Sequence, residues 1–342
     1  MMNNYIEESA KYRMGVWYNK KFKLNEFVWD KSDEKKYVFY NGNTRYLDWI
    51  ERWKKLGVKK NPGIILDSQD CLVYDEAINE YQKYFNEDLK QIPYASHNRK
   101  ANDNNSIIFP LHKQSFLKIS SNKCNDSYNF LEKKNDVIWR GKFTGVDRNA
   151  HAFEYGSDIE NNINDYVRFT CVQMWHKKFN IKFVEDYSNL NIDPEQYTRA
   201  LSREVVQKNL KYVNAMFAKN KGMIGEYLNF DKEFCKYKYI LNLDGHDSSS
   251  GITHTLQTNS VMLSPIPTSH IFVNFKLEPW VHYIPLKDDT SDLGEKLKWC
   301  NSNQEKCEEI VKNASEYISQ FNEKSEQEIE TRIFEKLYEN GE

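Results

Sequence analysis

Short apolar runs that end in small or acidic residues recur along this chain with helical stretches between them, an alternation that narrows the fold more than any other feature. The runs are GIILDSQD, IIFPL, DVIWRGKFTG, IKFVED, KYKYILNLDG, SVMLSPI and HYIPL. Continuous apolar runs of about four to eight residues suit strands buried on both faces, as in parallel sheets covered by helices. Between Asn43, a candidate N-cap, and Gly57, a candidate residue just past a helix end, Tyr46, Leu47, Ile50, Trp53 and Leu56 recur at helical spacing. That helix leads through the turn Asn61-Pro62-Gly63 into GIILDSQD, whereas residues 94–106 are polar and turn-rich and predict a surface loop. In the second half, three helical stretches lie between strands and a fourth follows the last of them. They are a long helix with Ile163, Tyr166, Val167, Thr170 and Trp175 on one face, a helix near 202–216, another from about 252, and an amphipathic tail from 291. Alternation in both halves predicts two α/β sheets with a cleft between them.

With 342 residues, two domains of ordinary size are expected. The boundaries predicted are 1–130 for an N-terminal domain, 131–320 for a second, and 321–342 for a C-terminal helix packing back on the first. Charged residues make up 29% of the chain and 39% is hydrophobic, the balance of a folded, water-facing protein. Lys and Arg number 48 against 50 Asp and Glu, so no global field draws in nucleic acid or an anionic membrane. No window reaches the roughly 18 to 20 apolar residues of a spanning helix, and residues 1–20 lack an apolar stretch of signal-peptide length. The expected location is therefore the cytoplasm, with peripheral contact at the inner face of a membrane still compatible. Six scattered cysteines without CxxC spacing fit buried free thiols.

In α/β sheets a ligand sits outside the carboxyl ends of the strands, which directs attention to the residues after ILNL. There Gly245 and Gly251 let backbone approach a ligand, Ser248, Ser249 and Ser250 offer donors, and His246 and Asp247 lie between. A phosphate-bearing ligand fits this composition, and so does an ordinary strand-to-helix loop with a Ser or Asp cap. WRGKFTGVDR adds Arg140, Lys142 and Arg148 around Gly141, Gly145 and Thr144, a set suited to a diphosphate and less typical of a plain basic patch. Asp67 and Asp70 end the first-half strand, where a carboxylate can act as a general base or merely cap a turn. The acids of DGHD lack a third carboxylate nearby, so no metal site is expected. GxSxG, P-loop and GxGxxG patterns are absent, which lowers serine hydrolase, P-loop and dinucleotide functions.

Three segments together resemble glycosyltransferase family 90: IWRGKFTGVDR, KYKYILNLDGHDSSSG with the following LQTNSVML, and LEPWVHYIPLKDDTSDLGEKLKWC. The likeness spans residues 130–320 and is loose in the first third; the PWVHYIPL segment is the most specific. The resemblance implies a GT-B fold, two Rossmann-like domains facing across a cleft with a C-terminal helical tail. It also implies inverting transfer of a hexose or pentose from a UDP-sugar, with no metal or other cofactor required. Arg140, Gly141, Thr144 and Arg148 match the donor segment of that family, with Arg148 as the implied diphosphate partner. Residues 245–251 match the loop around the nucleotide sugar. Gly251 stands where the family carries an arginine, a departure closer to the lipopolysaccharide core-type branch than to the Rumi-like protein O-glucosyltransferases, and Lys142 is positioned to replace the lost charge. Asp70 fits the register of the family's base, with Asp67 as fallback. The acceptor implied is a glycan or lipid-linked saccharide, with a protein O-glucosyl- or xylosyltransferase as the alternative. A binding protein that keeps the cleft without chemistry is the other class, and the retained base and clamp residues favour the enzyme.

Overall fold

A computed structural model of the chain describes residues 2–24, 27–28, 46–67, 89–110, 126–144, 158–189, 203–245, 248–249 and 251–342. The fold is mixed α/β with parallel sheets, and contacts divide it into two units. The first unit takes residues 1–123, 268–277 and 318–342. It holds α1 (Met2–Met14), α2 (Tyr46–Lys55) and three parallel strands, β1 (Ile65–Asp67), β2 (Tyr94–Ser96) and β3 (Ser106–Ile108), in the order β1-β2-β3.

Helix α2 buries Tyr46, Trp49, Ile50 and Trp53, the i, i+3, i+4, i+7 stripe of a helix against a core. Trp49 holds the place that the sequence pattern gave to Leu47, which is 51% exposed, because one residue on from Tyr46 the helix has turned away from the core. Trp53 packs edge-on against Phe109 and Phe334, with ring centroids 4.8 and 5.0 Å apart. Gly57 ends the helix at φ +87°, where Val58 N donates to Trp53 O at 3.0 Å. Asn61 then folds the turn: its Oδ1 accepts from Gly63 N at 2.9 Å and Ile64 N at 2.7 Å, which aims the chain into β1.

The first part of the stretch predicted as a surface loop, residues 94–96, is instead the middle strand of this sheet, whereas residues 101–105 do form a largely exposed turn. Residues 93–99 are buried, and β2 pairs with β1 on one side and β3 on the other. Its polar residues find partners inside; Arg99, for example, donates to the carbonyls of Ser106 and Tyr12. Tertiary bonding has here outweighed composition.

The second unit takes residues 124–267 and 278–317. In chain order it comprises β4 (Lys134–Gly141), α3 (Val167–Trp175), β5 (Asn180–Phe183), α4 (Arg203–Lys219), β6 (Tyr237–Leu241) and α5 (Gly251–Thr255). It continues with β7 (Val261–Pro265), β8 (Ile284–Leu286), α6 (Leu293–Ser302) and α7 (Gln304–Ile318). The five strands are all parallel, in the order β8-β7-β6-β4-β5. Both faces are covered: Val137, Trp139, Tyr239, Leu241, Val261 and Leu263 pack into the larger core with residues of α3, α4 and α7, while Ile138 and Ile240 pack with Phe234 and Tyr237. This is why the runs are continuously apolar rather than alternating.

The single long helix predicted over 163–175 is broken. Tyr166 adopts φ −84°, ψ 94°, an extended conformation between a short 3₁₀ turn and α3. Its ring is buried and stacks on Phe143 at 5.2 Å, so packing has displaced the local helical preference.

After α7 the chain returns to the first unit as α8 (Glu323–Asn340), which buries Ile329, Ile333, Phe334 and Leu337. Arg13 of α1 donates to both oxygens of Glu326 at 2.8 and 2.7 Å, and Arg52 of α2 donates to Glu330 at 2.7 Å. Contacts draw the first border at 123/124, against the predicted 130, and group residues 268–277 with the first unit, where Ser269–His270 pair antiparallel with Arg99–Lys100. That pairing joins segments far apart in sequence and leaves no local pattern. Among the described residues no helix is long and apolar enough to cross a membrane.

Candidate functional site

Strand order fixes where a ligand fits in the second unit. From β4 the sheet extends one way to β5 and the other way to β6, β7 and β8, so successive connections part company between β4 and β6. In open parallel sheets such a reversal leaves a crevice outside the carboxyl ends of the two strands, where ligands bind. The residues at those ends are Gly141–Thr144 after β4 and Asn242–Gly245 after β6.

Arg168, in the first turn of α3, ties these two ends together. Its Nη1 donates to Thr144 Oγ1 at 2.6 Å and to Lys142 O at 3.3 Å, and its Nη2 donates to Leu243 O at 2.9 Å. The guanidinium lies 5.7 Å from the Trp139 ring centroid, within cation–π range. Gly245 is close beside it: a Cβ there would stand 2.9 Å from Arg168 Nη2 and 3.2 Å from Thr144 Oγ1. Gly141 makes room one layer below, since a Cβ on it would fall 2.4 Å from the Trp139 ring. Thr144 and Gly245, both predicted donor-site residues, thus meet around an arginine that sequence patterns did not single out, while Gly141 packs against the Trp139 ring. The sequence pattern gives no signal for it: with a helix read from 163, Arg168 falls in the second turn, and only the break at Tyr166 places this cation in the first turn of α3, where it opposes the helix dipole.

On the far side of β6, Asp244 Oδ1 accepts from Ser249 N at 3.1 Å, and Ser249 Oγ accepts from Gly251 N at 3.2 Å, which turns the chain into α5. Ser248 and Gly251 stand in the same turn. Asn242, buried at 2% exposure, lies between this turn and Ser264 of β7. Burial, with the charge of Asp244 adding to it, pushes the Tyr283 phenol up to about 12. Burial likewise raises the Tyr187 phenol, whose oxygen accepts from Phe143 N at 2.9 Å and so fixes the loop after β4.

Two predicted cations are engaged elsewhere. Arg140 donates to Glu226 O at 3.1 Å, Asn180 O at 2.8 Å and Asn180 Oδ1 at 2.7 Å, bonds that lock β4 to β5 and the 226 loop. Burial draws its guanidinium below the usual value. Lys142 pairs with Glu185 at 2.6 Å on an exposed surface. Arg148, His246, Asp247, Ser250 and Asp70 lie outside the described residues, and of Asp67 only the backbone is described, ending β1 beside Ser96. Among the described residues no group of three or more His, Cys, Asp or Glu is placed to hold a metal ion. A guanidinium, a hydroxyl and glycine backbone converging at a sheet switch point suit an anionic ligand such as a phosphate ester.

Residues 175–327 match the family model of glycosyl transferase family 90. Protein O-glucosyltransferase 1 of Rattus norvegicus is 30% identical over 163 residues, 45% of this chain and 40% of that protein. O-glucosyltransferase LpsA of Dichelobacter nodosus is 33% identical over 97 residues, 28% of this chain and 30% of that protein. The matched stretch therefore spans less than half the length of either relative. The crystal structure of a glycosyltransferase from Rickettsia africae ESF-5 aligns with a TM-score of 0.45 and 10% identity over 89% of this chain and 84% of that one. The expectation raised by the motif segments is met for the second and third of them, which lie within residues 175–327, the stretch of this chain that is similar to glycosyl transferase family 90.

Proposed function

We propose that the chain is a UDP-sugar-dependent, inverting glycosyltransferase of the GT-B type that moves a hexose or pentose onto a hydroxyl of a glycan or lipid-linked saccharide. The observation that carries this is the convergence of Thr144, Gly245 and Arg168 at the β4/β6 switch point, a place and chemistry suited to a nucleotide diphosphate. Two relatives named as O-glucosyltransferases make glucose the first donor to try.

The chemistry is a single displacement. The acceptor oxygen bonds to the anomeric carbon as that carbon's bond to the diphosphate breaks, the acceptor proton passes to the Asp70 carboxylate, and the electron pair departs with UDP. Attack from the face opposite the leaving group inverts the anomeric centre. Negative charge growing on the diphosphate is met by Arg168, by the Thr144 hydroxyl and by Arg148, the residue whose role rests on its motif position. Preorganised donors of this kind each contribute about 10²-fold or more in rate. Asp70 is assigned on the register of GIILDSQD, as the residue placed to take a proton beside an acceptor.

One observation favours a second function, nucleotide-sugar binding without transfer: Gly251 removes a cation from the loop after β6. The deciding experiment is UDP release from UDP-glucose, UDP-galactose, UDP-xylose and UDP-N-acetylglucosamine with a saccharide acceptor, wild type beside Asp70→Asn. Release with one donor, lost in Asp70→Asn while UDP still binds, supports the transferase. UDP binding without release from any donor supports the binding protein.

A further inference from the structure

We propose that Asn242 is a ligand-contacting residue whose side-chain oxygen receives a hydrogen-bond donor of the nucleotide sugar beneath Gly251. This rests on the donor-site assignment above and deepens it.

Asn242 follows β6 directly, and its backbone N donates to Leu263 O at 2.8 Å, which continues the ladder between β6 and β7. Its Nδ2 faces Ser264 Oγ at 3.4 Å. Ser264 gives its own hydroxyl proton to Pro265 O at 2.8 Å, so toward Asn242 it can only accept. That settles the amide: the NH₂ group faces Ser264 and Oδ1 faces the other way. Oδ1 has no hydrogen-bond partner, although the residue is 2% exposed. Buried side-chain oxygens are nearly always paired, because an unpaired one forfeits its hydration with nothing in return.

What lies in front of that oxygen is Gly251. A Cβ on Gly251 would stand 3.6 Å from Asn242 Oδ1 and 3.2 Å from Ser249 Oγ. The backbone at 251 lies outside the left-handed region, so its conformation does not demand glycine. A longer side chain would begin above the oxygen; glycine leaves it open. On the opposite flank of β6, Arg168 bonds to Leu243 O and Thr144. One sheet edge therefore offers a cation on one side of β6 and an unfilled acceptor on the other, which complements a molecule carrying a diphosphate together with hydroxyl or N–H donors.

Calorimetric titration of wild type, Asn242→Leu and Asn242→Ala with UDP and with UDP-glucose tests this, alongside thermal melts without ligand. Asn242→Leu should weaken at least one ligand about 10-fold. Its ligand-free melting temperature should be unchanged or higher, because the unpaired oxygen is gone. Asn242→Ala serves should leucine not be accommodated. Loss confined to UDP-glucose assigns the contact to a hydroxyl of the transferred sugar. Equal loss for both ligands assigns it to the nucleoside. Unchanged affinity for both, in variants of a protein that binds them, overturns the proposal and leaves Oδ1 to an ordered water. Binding of neither ligand by wild type overturns the donor-site assignment itself.

Discussion

In the first unit Arg13 and Arg52 lie buried against Glu326 and Glu330, each guanidinium paired with a carboxylate brought from α8, although the Nε of each makes no hydrogen bond among the described residues. In the second unit Asn242 is equally buried, yet its oxygen accepts nothing. The first arrangement spends polar groups on one another and fastens the tail helix to α1 and α2. The second leaves bonding capacity at a sheet edge, beside glycines whose missing side chains keep that edge clear. Buried polarity alone does not mark a functional site; what distinguishes the switch-point edge is an acceptor left open where strand order provides a crevice.

Breaking the closed pair should have the largest effect. Glu326→Ala strands Arg13, a fully buried cation, and should cost about 3 to 5 kcal/mol in urea unfolding, with UDP affinity of the folded fraction unchanged. A comparable loss of UDP affinity would erase the contrast between the units. Arg168→Ala should do the reverse, lowering UDP-sugar turnover by about 10²-fold with a smaller stability loss than Glu326→Ala. Arg168→Lys should not restore turnover, since a lysine cannot span Thr144 Oγ1 and Leu243 O as the guanidinium does.

The two glycines sharpen the comparison within the second unit. Gly141→Ala drives a methyl into the Trp139 ring, itself packed in the core, and should destabilise by about 1 to 3 kcal/mol while loosening the support under Arg168. Gly245→Ala meets the far end of the Arg168 side chain and the Thr144 hydroxyl, so UDP affinity should fall with little change in melting temperature. The smallest effect belongs to Asp186, exposed just past β5. Hydrogen bonds from Lys221 and Ser188 lower its carboxyl from 3.8 to about 2. A depressed acid stabilises the fold above its unfolded value and loses that contribution as pH falls through the folded one. Asp186→Asn should therefore flatten the acid limb of stability slightly at low salt and leave it unchanged at high salt.

Much of the second unit was legible because continuous apolar runs and helical spacing are local properties: the strands at 134–141, 180–183, 237–241, 261–265 and 284–286 fall on the predicted runs. Residues 94–96 were misread as a loop because their burial depends on neighbours from both sides of the sheet. At the proposed site, Thr144 and Gly245 stand out in the sequence by hydroxyl and glycine content, and the fold brings the two together. Arg168 was hidden by the helical pattern around it, where a lone arginine looks like a solvated position. Asn242 was visible only as one polar letter in ILNLDG, and its importance depends on what Ser264 and Gly251 do in space. Arg140 matched the donor motif, yet its bonds run to β5 and Glu226.

The most direct test of the account is hydrogen–deuterium exchange of the whole chain with and without UDP. The switch-point assignment predicts slowed exchange in peptides covering residues 141–144 and 241–251, with peptides from α2 and α8 unchanged. UDP binding that leaves both segments unprotected, or protects only the first unit, would contradict it.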